Sequence, residues 1–258
     1  MCELFGVCSS RRVDVKAQLK EFFSHSEQHC HGWGMATFYG DAVSLEKEPL
    51  SANRSQYLHQ RLRSNIEVAN MIAHIRLASV GRLFYENTHP FIRHDNRGGC
   101  WTLAHNGTIF KGIKTDRFER VQEGQTDSER ILLYIVDEIN RRQDALEKRL
   151  SPEERFGLLA NLLADLSVGN KLNLLLWDGC YMYAHSNYAN TLYINPICED
   201  SLLFSTHPLS ETGWHPLPFL KLTVYKDGHK VYEGKALSTE YKDPEENFEY
   251  KYLDYANL

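Results

Sequence analysis

A cysteine follows the initiator methionine directly, so this chain begins with a residue whose chemistry depends on its position. Removal of Met1 would leave Cys2 with both a thiol and a free α-amino group. An α-amino pKa of about 8 lies close to a thiol pKa of about 8.5, so the amine can act as general base for its own sulfur near neutral pH. Cys2 is therefore a candidate nucleophile that needs no histidine partner, although the Met-Cys dipeptide alone is usually without function.

An Asn-Gly pair follows the apolar segment WTLAH at 101–105. The side-chain amide of Asn106 and the backbone N–H of Gly107 could both donate to a developing oxyanion, because a residue without Cβ allows close approach of its backbone. The same dipeptide is the commonest hairpin turn signal. The pair alone leaves an oxyanion hole and a simple turn as alternatives.

Three polar residues could bind the charged ends of an amino-acid substrate. Arg76 lies at the end of a predicted strand, where its guanidinium could hold a carboxylate through two parallel hydrogen bonds, with Ser79 adding another. Asp127 lies at the start of a predicted helix and could pair with an ammonium group. The alternatives are a surface salt bridge for the arginine and helix capping for the aspartate.

The elements that must position these residues follow from the spacing of apolar side chains. Helical spacing predicts four helices, at 13–25, 54–64, 128–142 and 153–167. Alternating or short apolar runs predict eight strands, at 33–39, 70–75, 101–105, 172–177, 181–185, 191–194, 202–205 and 220–225. The order of strands, two helices and further strands is not that of a doubly wound parallel sheet, and it predicts an α+β fold with mainly antiparallel sheets.

Two of the predicted helices carry start signals. The sequences TDSE at 126–129 and SPEE at 151–154 both fit a capping box, in which the first side chain accepts from the fourth residue's N–H and the fourth side chain reaches back. Pro152 would then occupy the first turn, where proline is tolerated.

Length and composition limit the classes of function. The 258 residues, about 42% hydrophobic, predict a single domain over 1–258, with a core over 2–242 and an acidic, tyrosine-rich tail over 243–258. A formal charge of -5 without a basic stripe argues against nucleic acid as a partner. No apolar segment fits a signal peptide or a membrane span, so a cytoplasmic location with no membrane partner is expected. Six scattered cysteines without CxxC spacing predict free thiols, and their redox sensing is a weak alternative.

Taken together, the motifs resemble the class II glutamine amidotransferases, which are amino-terminal-nucleophile hydrolases, and most closely their short, stand-alone branch. The resemblance covers nearly the whole chain, in correct order and spacing. It rests on MCELFGV at 1–7, HGWGMATFY at 31–39, AHIRLAS at 73–79, ENTHPF at 86–91, WTLAHNG at 101–107, GQTDSE at 124–129, LNLLLWDG at 172–179 and STHPLSETGW at 205–214.

The resemblance implies a four-layer αββα fold with two stacked antiparallel sheets and a role for each candidate residue. Cys2 would attack the glutamine amide and its amino group would shuttle the proton, while Asn106 and Gly107 would form the oxyanion hole. The roles implied for the substrate's charged ends are binding of the α-carboxylate by Arg76 with Ser79, and of the α-ammonium by Asp127. His89 is expected to approach the substrate pocket.

The resemblance further implies a γ-glutamyl thioester intermediate and release of ammonia. No cofactor and no metal are expected. An acceptor-binding synthase domain is not recognisable in this sequence, so we expect either a separate ammonia-accepting synthase or hydrolysis for its own sake.

Some positions depart from the family pattern. His31 stands where relatives usually have aspartate, and THPL at 206–209 stands where they often have glutamate or glutamine before PL. Because these loops differ from the family pattern, the identity of the amide substrate is not fixed. One alternative is hydrolysis of a substituted γ-glutamyl amide, as in the ergothioneine-pathway branch. Another is a catalytically silent amino-acid-binding module. A zinc site at His25, His29, Cys30 and His31 is a weaker alternative, because no second, distant pair of ligands accompanies it.

Overall fold

A computed structural model describes residues 2–40, 42–79 and 81–243, and it confirms the predicted α+β fold with two stacked antiparallel sheets. The first sheet has the strand order β11-β9-β10-β1-β4-β2-β3 and the second the order β13-β12-β8-β7-β6-β5. The strands are β1 Glu3–Asp14, β2 Trp33–Tyr39, β3 Ala42–Glu48, β4 Glu67–Ile75, β5 Phe91–His94, β6 Cys100–Thr108, β7 Lys171–Trp177, β8 Met182–Ser186, β9 Tyr193–Cys198, β10 Ser201–Ser205, β11 His215–Pro216, β12 Leu222–Lys226 and β13 His229–Glu233.

Helices cover the outer face of each sheet, which gives the four-layer αββα order. The helices are α1 Lys16–Ser24, α2 Gln56–Arg61, α3 Asp127–Leu146 and α4 Pro152–Leu166. The first sheet buries residues such as Phe5 and Trp33 against α1 and α2, and the second buries residues such as Leu103 and Leu174 against α3 and α4. None of these helices combines the length and apolar character needed to cross a membrane.

The two sheets pack on each other through a third apolar cluster. Because side chains alternate along a strand, Leu4 and Cys8 of β1 point into this inter-sheet layer, together with Ala104 of β6 and Leu175 of β7. Cys2 and Asn106 share the alternation of these residues. The nucleophile and oxyanion candidates are therefore carried at one end of the inter-sheet layer.

The Asn-Gly pair lies inside a strand rather than in a hairpin turn. Strand β6 continues to Thr108, and Asn106 and Gly107 pair with Asn173 and Leu172 of β7. A Cβ on Gly107 would come within 2.0 Å of the Lys171 carbonyl oxygen, so the strand pairing itself requires glycine here. The turn alternative is thus wrong. Asn106 and Gly107 are held in place by the pairing of β6 with β7.

The start signals of the two long helices hold to different degrees. Ser151 and Glu154 form the complete capping box, with Pro152 in the first turn. Thr126 accepts the Glu129 N–H as predicted, but the Glu129 carboxylate accepts instead from the backbone N–H groups of Glu123 and Gly124. The predicted tail at 243–258 lies, from residue 244 on, outside the described residues.

Candidate active site

Cys2 is partly exposed at the start of β1, beside the backbone of Leu77. Its Sγ lies 3.4 Å from both the Leu77 nitrogen and the Leu77 carbonyl oxygen, so the sulfur can accept from the N–H and donate to the carbonyl. Burial of the sulfur raises the thiol pKa, whereas the Leu77 N–H and the positive charge of Arg76 lower it. Because burial has the largest effect, the thiol depends on a nearby base to become a thiolate.

The side chain of Asn106 faces the same cavity as Cys2. Asn106 is 1% exposed, and its Oδ1 makes no hydrogen bond within the described chain. A buried amide with unused hydrogen-bonding capacity is costly unless a ligand or water completes it. The cavity lining therefore offers a polar group beside the thiol to an incoming molecule.

Arg76 is buried immediately after β4 and binds its own loop. Its guanidinium donates to the carbonyl oxygens of Arg82 at 3.1 Å and Gly81 at 3.0 Å. Ser79 lies in the same loop, and its hydroxyl makes no hydrogen bond within the described residues. The predicted carboxylate-binding fork thus lies close enough to Cys2 to influence its thiol, but backbone carbonyls hold it.

Asp127 is the first residue of α3 and is 6% exposed. Its Oδ2 accepts from the backbone N–H of Ile109 at 2.7 Å, and its Oδ1 from that of Ser128 at 2.9 Å. Its negative charge also raises the pKa of the Cys2 thiol. The carboxylate therefore fixes the end of β6 onto α3 and remains within electrostatic range of the nucleophile.

His89 is buried between the sheets rather than in the cavity wall. Its ring stacks on His74 with centroids 4.0 Å apart, and its edge meets Phe91 at 4.5 Å. None of the four ring nitrogens of His74 and His89 has a hydrogen-bond partner in the described chain. Burial, and for His89 the neighbouring His74, holds both pKa values well below their ordinary value, so both rings are neutral.

A cavity of about 530 Å³ opens over Cys2 and extends toward the end of α1. Sequence reasoning missed the buried carboxylate of Glu3, whose Oε2 lies 2.8 Å from His25 Nδ1 and whose Oε1 lies 3.6 Å from His29 Nδ1 and 4.0 Å from His207 Nε2. The signal was a charged residue between the nucleophile and the apolar run LFGVC at 4–8. The lining residues are Cys2, Glu3, Ser24, His25, Glu27, Gln28, His29, Asn106, Thr191, Thr206 and His207.

The His25 to His31 segment supports the site without forming a metal centre. His31 accepts the Ala78 N–H on its Nδ1 at 2.8 Å, and its own backbone N–H donates to Arg76 O. Among the described residues no group of three or more His, Cys, Asp and Glu side chains is arranged to hold a metal ion. His31 therefore anchors the loop that carries Arg76 and Leu77.

Comparison with known proteins identifies the class. The family model for class II glutamine amidotransferases matches residues 1–199. The uncharacterized protein MJ1515 from Methanocaldococcus jannaschii is 29% identical over 92% of this chain and 73% of its own length. YafJ from Escherichia coli, named provisionally as a glutamine amidotransferase, is 30% identical over 72% of each chain. This chain belongs to the class II glutamine amidotransferase family.

Solved structures with low sequence identity share the fold. A Pseudomonas aeruginosa protein described as a predicted glutamine amidotransferase superposes with a TM-score of 0.63 at 20% identity, over 90% of this chain and all of that one. The glutamine phosphoribosylpyrophosphate amidotransferase from Bacillus subtilis gives a TM-score of 0.66 at 17% identity, over 93% of this chain and 50% of that one. The four-layer architecture is therefore that of the amidotransferase domain, and the chain matches half of the larger enzyme.

Proposed function

We propose that this chain hydrolyses the side-chain amide of glutamine with Cys2 as an amino-terminal nucleophile, after removal of Met1. The observation that carries the proposal is the shared wall of Cys2 and Asn106 in one cavity, beside a buried arginine and a buried aspartate. A thiol, an amide whose Oδ1 has no partner among the described residues, and two opposite charges are the groups that an amino-acid amide substrate requires.

In the proposed reaction the Cys2 sulfur attacks the amide carbon and the α-amino group takes the thiol proton. The Asn106 amide and the Gly107 N–H stabilise the oxyanion, and the C–N bond then breaks as the α-ammonium returns its proton to the leaving ammonia. Water adds to the γ-glutamyl thioester and frees glutamate and the thiol. Arg76 with Ser79 binds the α-carboxylate and Asp127 the α-ammonium, while His89, which packs on His74 and Phe91, lies outside the cavity lining.

The proposal is tested by the intact mass of the protein with and without the glutamine analogue 6-diazo-5-oxonorleucine. We expect a mass lacking Met1 and a single adduct, which Cys2→Ala abolishes. Cys8→Ala is the matched control, because Cys8 lies on the same face of β1 but is fully buried, where burial raises its pKa to about 11. An adduct that persists in Cys2→Ala would contradict the proposal. A processed protein that binds glutamate without adduct or turnover would support a silent binding module.

The reach of the cavity beyond Cys2 favours a second candidate, hydrolysis of a substituted γ-glutamyl amide. The lining includes His25 and His207 but neither Arg76 nor Asp127, so a leaving group larger than ammonia would lie toward the two histidines. A γ-glutamyl dipeptide should then have a higher kcat/KM than glutamine, and His207→Trp should lower only the dipeptide rate. Equal loss for both substrates, or a preference for glutamine in the unaltered protein, would leave glutamine as the substrate.

A further inference from the structure

A second cavity, of about 480 Å³, lies at the opposite end of β6 from the nucleophile. It is bounded by His94 at the end of β5, Cys100 at the start of β6, and Gly179 and Cys180 in the turn after β7. Cys100 and Asn106 are six residues apart on one strand, which corresponds to about 20 Å. The two cavities are thus separate sites at the two ends of the second sheet.

One wall of the second cavity is a fixed arginine. The Arg155 Nε lies 3.0 Å from Asp178 Oδ2, and the Asp178 side chain is fully buried. Asp178 also accepts from the N–H groups of Cys180 and Tyr181 and from the Tyr183 hydroxyl. These donors fix the Asp178 carboxylate, which in turn orients Arg155 and offsets its positive charge.

A second arginine leaves the cavity with a positive charge. Arg149 is exposed on the loop between α3 and α4 and makes no ion pair or hydrogen bond within the described residues. Among the lining residues, Arg149 and Arg155 are set against Asp178, which leaves one positive charge, while Asp95 beside the lining accepts from Trp101 Nε1 and from the backbone N–H groups of Arg97 and Gly99. The nearest acids on α4 are engaged elsewhere, because Glu154 binds Lys148 and Glu153 accepts from Tyr232.

The backbone leaves room for a ligand between these cations. Gly98 and Gly179 both have positive φ, of 81° and 94°, and a Cβ at either position would meet no atom within 4 Å. Gly98 and Gly179 thus face open space in a cavity that is also lined by two guanidinium groups. Guanidinium groups suit the oxygens of a phosphate group because they donate paired hydrogen bonds. We propose that this cavity binds a phosphate group, either as free phosphate or as part of a small phosphate monoester, independently of the cavity over Cys2.

The cavity contains its own chemical reporter. Cys180 is exposed in the cavity wall, and Cys30 is exposed in the loop before β2, outside this cavity. Inorganic phosphate should slow alkylation of Cys180 saturably and leave Cys30 unaffected, at ionic strength held constant with chloride. Equal protection of both thiols, or equal protection by chloride alone, would overturn the proposal.

Variants of Arg149 give a second test. Arg149→Ala should weaken phosphate binding, measured by calorimetry and by Cys180 protection, about tenfold, and Arg149→Lys should retain part of the affinity. Arg142→Ala is the matched control, because Arg142 is exposed on α3 outside the cavity. Unchanged affinity in Arg149→Ala would contradict the site, and Cys2→Ala should bind phosphate normally.

Competition by glycerol phosphate distinguishes the two sources of the phosphate group. Tighter binding of the monoester would identify a phosphorylated metabolite, and tighter binding of inorganic phosphate would identify the free ion. Binding of neither would overturn the proposal.

Discussion

The two ends of the inter-sheet layer are equally buried and have opposite chemistry. At one end Phe38 stacks on Trp177 at 4.8 Å and Phe204 meets Tyr225 edge-on at 5.1 Å. At the other end the layer contains the stacked histidines and Asn106, where five buried atoms, the four ring nitrogens and Asn106 Oδ1, have no hydrogen-bond partner among the described residues, against Thr102 Oγ1 and Trp177 Nε1 at the first end. Apolar packing stabilises the first end, whereas uncompensated polar burial at the second lowers stability. Polar groups that lower stability at the second end are expected to be kept for binding and chemistry.

The apolar end should tolerate substitution least. Phe204→Ala should lower the free energy of unfolding by about 3–5 kcal/mol, because it leaves a cavity in a close-packed layer. Urea unfolding measures the loss, with Phe84→Ala as a control, since Phe84 is half exposed. A loss no greater than that of the control would show that the apolar end is not what holds the sheets together.

A smaller effect, confined to catalysis, is expected at Asn106. Asn106→Ala should lower kcat about 10²- to 10³-fold by removing one oxyanion donor. Its thermal stability should stay close to that of the unaltered chain, because Oδ1 makes no hydrogen bond within the described residues.

Asn173→Ala is the matched variant for Asn106→Ala. Asn173 donates to Thr191 and accepts from Ser186, so its removal should cost about 1–3 kcal/mol of stability. If both variants lost only stability, Asn106 would be a structural residue and the proposed oxyanion hole would fail.

The smallest effect concerns pH. The pKa values of His74 and His89 are lowered in the folded chain, chiefly by burial, so the unfolded chain takes up protons first as pH falls. The contribution of the two neutral rings to the free energy of unfolding is complete above the unfolded pKa of about 6.5. Below it, each ring costs about 1.4 kcal/mol per pH unit until the pH reaches the lowered pKa of the folded chain.

Replacement of one ring by an apolar ring isolates this contribution. His89→Phe should keep the stack on His74, change stability little at pH 8 and make the acid loss shallower. Exposed His229, replaced by alanine, is the control, and an unchanged slope in His89→Phe would contradict the assignment.

Much of the fold could be predicted because local signals agreed with tertiary packing. Strand β2 occupies the predicted 33–39, and the four predicted helices are all present, some shorter. Strand β1 was missed because its second half, SSRRVD, is polar and exposed, yet it pairs with β4 to Asp14. Strand β3 was missed because it contains several charged residues. It lies at the edge of the first sheet, where water takes the place of a neighbouring strand and charged side chains are tolerated.

The sequence predicted a site residue only where a single local motif contained it. Cys2 and Asn106 share a cavity, but the sequence could not show that Arg76 binds its own loop or that Asp127 accepts from the backbone N–H groups of Ile109 and Ser128. Glu3 and His207 meet across 204 positions of the chain, a contact that only the pairing of β1 with β10 brings about. Non-local strand pairing therefore determines the features that local reasoning misses.

The hydrogen bonds of Arg76 have a kinetic consequence. In the proposed mechanism a substrate carboxylate must displace the carbonyl oxygens of Gly81 and Arg82 from the guanidinium. The resting enzyme thus contains an internal competitor, and apparent affinity is reduced by the fraction of molecules in which the loop is bound. Substitutions that weaken these two contacts without removing the guanidinium would therefore lower KM while leaving kcat unchanged.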